Sequence, residues 1–151
     1  MHKTIVSDTS CLILLRNIDE LNILEKLYGE VIITSIIEKE YKYSLPSWIK
    51  VIDPKNKDYQ NELEKTIDKG EASAIALAIE LSDCKLIVDD GKARKKAYEL
   101  GLDFTGTIGV LRKAKEEGLI KELKPLFDKI VLTNFYITSV HLNQILKEEG
   151  E

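Results

Sequence analysis

Two rhythms of apolar and polar positions alternate along this chain. Short apolar runs rich in β-branched residues predict buried strands: Lys3–Ser7 (KTIVS), Val31–Ile33 (VII), Trp48–Ile52 (WIKVI) and Lys85–Val88 (KLIV). Asp103–Thr105 predicts a further short extended piece. Helical stretches lie between them. Ser10 can cap a helix through CLILLRNI, and Ile18–Tyr28 is apolar-periodic up to the break at Gly29. Thr34 or Ser35 caps IIEKEYKY, which ends before Pro46. Further helices are expected over Lys57–Ile67, over EASAIALAIEL after Gly70, over Lys92–Leu100, over Gly106–Glu117, over Lys121–Leu132 and over Thr138–Glu149. Strands that alternate with helices predict an α/β fold. The expected architecture is a three-layer α/β/α sandwich with a central parallel sheet of four or five strands, wound by right-handed crossovers. No repeat, linker or low-complexity segment divides the chain, so residues 1–151 read as a single domain.

Composition narrows the function. Only two histidines and two cysteines are present, with no CxxC, which excludes a zinc-finger site. Cys11 and Cys84 sit in apolar segments and are expected as buried thiols. No apolar run approaches the ~18 residues of a membrane helix. The N-terminus lacks signal-peptide features, so a cytoplasmic location is expected. A net charge of −4 argues against a nonspecific nucleic-acid coat protein, but not against an enzyme that acts on nucleic acid.

In a doubly wound sheet, chemistry collects at the carboxyl ends of the strands. Asp8 follows TIVS, and the pair Asp89-Asp90 follows KLIV. Asp8 also suits a helix N-cap. The aspartate pair is harder to explain structurally, because adjacent like charges repel and call for a cation: Lys92, Arg94 or a metal. Glu71 opens an otherwise small and apolar helix, where it either meets the helix dipole or projects into a shared cleft. Glu40 lies beside Glu38 and Lys39 on an amphipathic segment and reads, by itself, as a solvated charge. Oxygen donors of this kind suit Mg²⁺, and two ions ~4 Å apart can activate water and stabilise a leaving oxygen of a phosphodiester.

VSDTS near the N-terminus, an acidic residue late in the helix after strand two, GEASAIALA and LIVDD occur here in an order that resembles the PIN-domain family. The resemblance covers nearly the whole chain. It extends to a DD-x-x-AR stretch at Asp89–Arg94 and a TGTIGVL-x-x-AK-x-x-GLI stretch at Thr105–Ile120, both shared with compact prokaryotic members. It implies a Mg²⁺- or Mn²⁺-dependent endoribonuclease, with kinship to VapC-type toxins of toxin–antitoxin pairs. It also implies a homodimer and a small antitoxin protein as partners beside RNA. The apolar content of Leu12–Leu27 is a second ground for the dimer. Carried across by position, Asp8, Glu40, Glu71 and Asp90 are the expected catalytic carboxylates, with Asp8, Glu71, Asp90 and Asp89 as metal ligands. Many relatives carry an acidic residue three positions further on, where this chain has Ala93, so either Asp90 or Asp89 can be the fourth ligand.

Thr9 and Ser10 beside Asp8, and Thr105 and Thr107 about Gly106, are candidate nucleic-acid contacts or helix caps. Lys92, Arg94 and Arg112, with Arg16, Lys95, Lys96, Lys113 and Lys115, are the best candidates for phosphate contacts, though any one of them taken singly reads first as a solvated charge. Two other readings stay open. A PIN-like fold can serve as a non-catalytic binding or assembly module. A phosphoryl-aspartate hydrolase would want a second Asp where Ser10 stands, and a receiver-like domain would want its acidic residues in another order.

Overall fold

Five short apolar strands pair edge to edge into one parallel sheet, in the order β3-β2-β1-β4-β5. They are β1 (Thr4–Ser7), β2 (Val31–Ile33), β3 (Ile49–Val51), β4 (Cys84–Ile87) and β5 (Asp103–Thr105). The computed structural model describes residues 3–135 and 137–151. His2 therefore lies outside the described residues. β1 is central and pairs with β4 in the register Thr4↔Cys84 to Ser7↔Ile87. That register brings the residues after both strands, Asp8 and Asp89-Asp90, to one end of adjacent strands.

The helices are α1 (Thr9–Asn17), α2 (Asn22–Tyr28), α3 (Ser35–Tyr41), α4 (Lys57–Leu63), α5 (Lys69–Glu80), α6 (Gly91–Glu99), α7 (Thr107–Glu116), α8 (Lys124–Ile130) and α9 (Ser139–Glu148). They complete the three-layer α/β/α arrangement expected from the sequence. α5 packs on β1 and β4, and every residue from Ala72 to Ala78 is buried. Its small, apolar side chains are what let a helix approach the sheet on all sides. Among the described residues, no helix is long and apolar enough to cross a membrane.

Several boundaries differ from the expected ones for local reasons. Asp8, not Ser10, caps α1: its carboxylate accepts the Cys11 N–H at 2.9 Å, so the helix begins at Thr9. Thr34, not Ser35, caps α3. That helix stops at Tyr41, where Lys42 turns to φ +69°, short of Pro46. α4 ends at Leu63 because the next residues fold into turns on the Leu63 carbonyl. α8 starts at Lys124 with Pro125 in its first turn, a position that needs no backbone N–H.

Both cysteines are buried free thiols, as expected. Leu12, Leu14, Leu15, Ile18, Ile23 and Leu24 are all buried within this one chain. Their apolar surplus is thus absorbed by the chain's own core, and that ground for a dimer falls away. The most exposed large apolar side chains are instead Leu132, Tyr98 and Val140.

Candidate functional site

Asp8 sits where β1 hands over to α1, and only 3% of its surface is exposed. One carboxylate oxygen takes the Cys11 N–H. The other accepts the N–H of Asp89 at 2.8 Å, across from β1 to the end of β4. Burial, then the charges of Asp89 and Glu71, push the Asp8 carboxyl up to about 8. Backbone donors oppose that rise without cancelling it.

Asp89 and Asp90 are adjacent in sequence but divide in role. Asp89 turns inward and is held by Thr107, whose N–H donates to Oδ1 at 2.8 Å and whose hydroxyl donates to Oδ2 at 2.5 Å. Burial still raises its carboxyl above the ordinary range. Gly106 makes this approach possible: a Cβ there would lie 2.8 Å from Asp89 Oδ1 and 2.7 Å from Arg94 Nη1. Asp90 turns outward and caps α6, accepting the Ala93 N–H at 3.0 Å. Ala93 itself is fully buried.

Glu71 projects half-buried from the first turn of α5. Burial first, then the charges of Asp68, Asp90 and Glu40, lift its carboxyl to about 7. Glu40 arrives from α3. It accepts the Thr9 hydroxyl at 2.5 Å and rests against Gly70, where any Cβ would collide with its carboxylate. Glu71, Asp68, Asp89 and Asp90 line a cleft of about 900 Å³, with Ser10 and Phe135 among its other walls. Asp8 lies beneath the cleft rather than on its wall. Among the described residues, every ionisable side chain that lines this cleft is acidic.

The hydroxyl and basic candidates scatter. Thr107 is fully buried and serves Asp89 rather than the surface. Thr105, half-buried, lines a second cavity with Arg94 and Arg112. Arg112 is engaged by Glu148, the last residue of α9, and by Glu149 just beyond it. Arg16 stacks 3.4 Å from the Tyr43 ring centre. Lys92, Lys95 and Lys96 line a small separate cleft with Ile67. Lys113 pairs with Glu117, and Lys115 with Glu151.

Two site residues were not foreseen. Asp68 stands at the cap position of α5, the place where an Asp reads as a cap, yet it makes no cap bond and faces the cleft. Phe135 lies in the stretch 132–137, whose pattern marks no site, and only the fold brings it to the cavity walls beside Asp89.

Among the described residues, no three His, Cys, Asp or Glu side chains close round one point as a ready-made metal cage. None of Asp8, Glu71, Asp89 or Asp90 forms an ion pair with Lys or Arg either. The donor set is oxygen alone, the chemistry that hard divalent cations take.

A family model described as a PIN domain matches residues 4–151. No curated protein matches the chain.

Proposed function

The chain belongs to the PIN-domain family, whose members are generally nucleases, and on that premise we propose that it is a divalent-metal-dependent endoribonuclease that hydrolyses RNA phosphodiesters. One observation supports the reading above the others. Asp8 is a buried carboxylate at the carboxyl end of the central strand, close to the acidic Asp89 and Glu71 and, among the described residues, in no ion pair with Lys or Arg. Burying a charge without a partner is costly, and a bound cation removes the cost.

Asp8, Glu71, Asp89 and Asp90 are the residues that would hold Mg²⁺ or Mn²⁺. The lack of a closed cage does not oppose this, because Mg²⁺ keeps several waters and takes only one or two carboxylates directly. When bound, the ion activates water and offsets charge at the phosphate. The remaining work falls to the chain. Thr107 fixes the Asp89 carboxylate, and the Asp89 N–H fixes that of Asp8. Without metal the Glu71 carboxyl is lifted to about 7, so near neutral pH a bound cation would displace its proton. Thr9 steadies Glu40 beside it.

Cleavage of a labelled RNA in Mg²⁺ or Mn²⁺ tests this, with Glu71→Gln as the control that keeps shape and removes charge. Equal cleavage by the two proteins would sink the reading. The same reading extends to a homodimer and a small antitoxin protein. Light scattering tests the first, and co-purification with the product of a neighbouring short reading frame tests the second.

A further inference from the structure

The acidic cleft does not end at Asp89. A second cavity, of about 560 Å³, opens on the far side, and Asp89 and Phe135 line both. The two hollows differ in charge. Among the described residues, the first has only acidic ionisable side chains on its walls. The second sets Arg94, Arg112 and His141 against Asp89 and Glu148.

Within the second cavity, Arg94 stands out. Arg112 is already engaged by two glutamates, whereas Arg94 makes no ion pair among the described residues, its charge acting through space on the neighbouring Asp89. Its guanidinium lies 5.3 Å from the Phe104 ring centre and against Gly106, where the missing Cβ leaves room for it next to Asp89. Ile108 and Gly109, in the first turn of α7, form another wall, and this helix has no side-chain cap. The positive end of α7 is already met by Asp89, which takes the Thr107 N–H, so Arg94 is the charge left for a ligand. Half-buried Phe135 supplies an aromatic surface.

We propose that this second cavity holds one nucleotide of the RNA strand adjoining the bond that is cut, with its phosphate on Arg94 and its base against Phe135. The proposal rests on the nuclease reading for the identity of its ligand. A polyanion lying along the first cleft meets no cationic side chain among the described residues, so its flanking phosphates need a cationic surface elsewhere. The second cavity is the adjoining one that offers an unpaired arginine, and its shared wall at Asp89 sets a bound phosphate beside the acidic centre. The volume lies within the ~300–1,000 Å³ of small-molecule sites, enough for a nucleotide. A base can lie on Phe135 only if it has left its stack, so the substrate class is single-stranded RNA.

The test uses the whole protein with a short fluorescein-labelled oligouridylate, measuring cleavage kinetics in Mg²⁺ and binding to the Asp8→Asn variant. Arg94→Ala should raise KM about five- to tenfold, leave kcat within about twofold, and flatten the slope of log affinity against log salt by about 0.7, one phosphate contact. Arg94→Lys should restore the salt slope, which a purely structural role for Arg94 would not do. Phe135→Ala should weaken oligonucleotide binding roughly tenfold or more, and Phe135→Trp should preserve it. An RNA duplex should compete poorly with the single strand. If the unaltered protein cleaves RNA while both alanine variants keep its KM and salt slope, the cavity is not the subsite and the nuclease reading stands. If the unaltered protein neither cleaves nor binds RNA, the nuclease reading fails and takes the subsite with it.

Discussion

The carboxylate of Asp8 accepts the backbone N–H of Asp89, 81 residues further along the chain, at 2.8 Å. Its other oxygen accepts the Cys11 N–H. Both oxygens are therefore acceptors, and that decides what an isosteric substitution does.

Asp8→Asn keeps one acceptor and turns an amide N–H₂ toward the other donor. Asn is a good helix cap, yet here it leaves one buried N–H without a partner, at a cost of about 1–3 kcal/mol. Removal of a buried charge offsets that cost only where Asp8 is ionised. RNA cleavage should be lost and the fold kept. The melting temperature should drop more at about pH 5.5 than above about pH 8. Circular dichroism melts at the two pH values check this, and wild-type cleavage by the variant would refute the role of Asp8.

Stability of the metal-free protein should fall as pH rises from about 4 to about 8. The Asp8 and Glu71 carboxyls, at about 8 and about 7 when folded, hold protons that the unfolded chain has released, so the folded state binds more protons in this window. Their protonated forms favour folding fully near the unfolded values, and the advantage is gone above about pH 8. Millimolar Mg²⁺ should raise the melting temperature more at pH 8 than at pH 5.5. A metal-free profile that is flat across this range would contradict the raised Asp8 and Glu71 carboxyls.

Thr107→Val removes the hydroxyl that meets Asp89 at 2.5 Å and keeps the backbone donor. A lost hydrogen bond to a charged group costs about 1.5–3 kcal/mol, and activity should fall roughly tenfold or more as Asp89 loosens. Thr107→Ser keeps a hydroxyl and should recover most of the rate. An unchanged rate in the valine variant would remove Thr107 from the site.

Gly106→Ala puts a methyl group where Arg94 Nη1 and Asp89 Oδ1 both come within 3 Å. Thr107 pins Asp89, so Arg94 is the side chain that gives way. The expected result is the Arg94→Ala phenotype, higher KM with kcat little changed, and a melting temperature within a few degrees of wild type. A large loss of kcat with normal KM would show instead that Asp89 had moved.

Much of this was legible in the sequence because strands and carboxylates fall together. The apolar runs before Asp8 and Asp89-Asp90 mark both the sheet and the end of it where side chains gather, and parallel pairing of β1 with β4 follows the expected α/β pattern. The small residues of α5 announce a buried helix, and with it the position of Glu71. What could not be read is orientation. Nothing in DD tells which aspartate turns in to Thr107 and which caps α6. A surface-type Thr107 proves to be fully buried, because the turn at Gly106 folds it under Asp89. Asp68 looks like a cap and is not one. Such choices depend on contacts between residues tens of positions apart, which no local pattern encodes.

The long reach between Asp8 and Asp89 also sets when the site can exist during synthesis. A chain leaves the ribosome from its N-terminus, and β1 emerges with Asp8 long before β4 does. Until Cys84–Thr107 follow, Asp8 lacks the Asp89 N–H, and Asp89 lacks its Thr107 clamp. No nascent fragment that stops short of β5 carries an assembled centre. Whatever chemistry the carboxylates perform, it begins only after β5 and Thr107 have emerged, so the messenger being translated is not exposed to it while the preceding strands are being made.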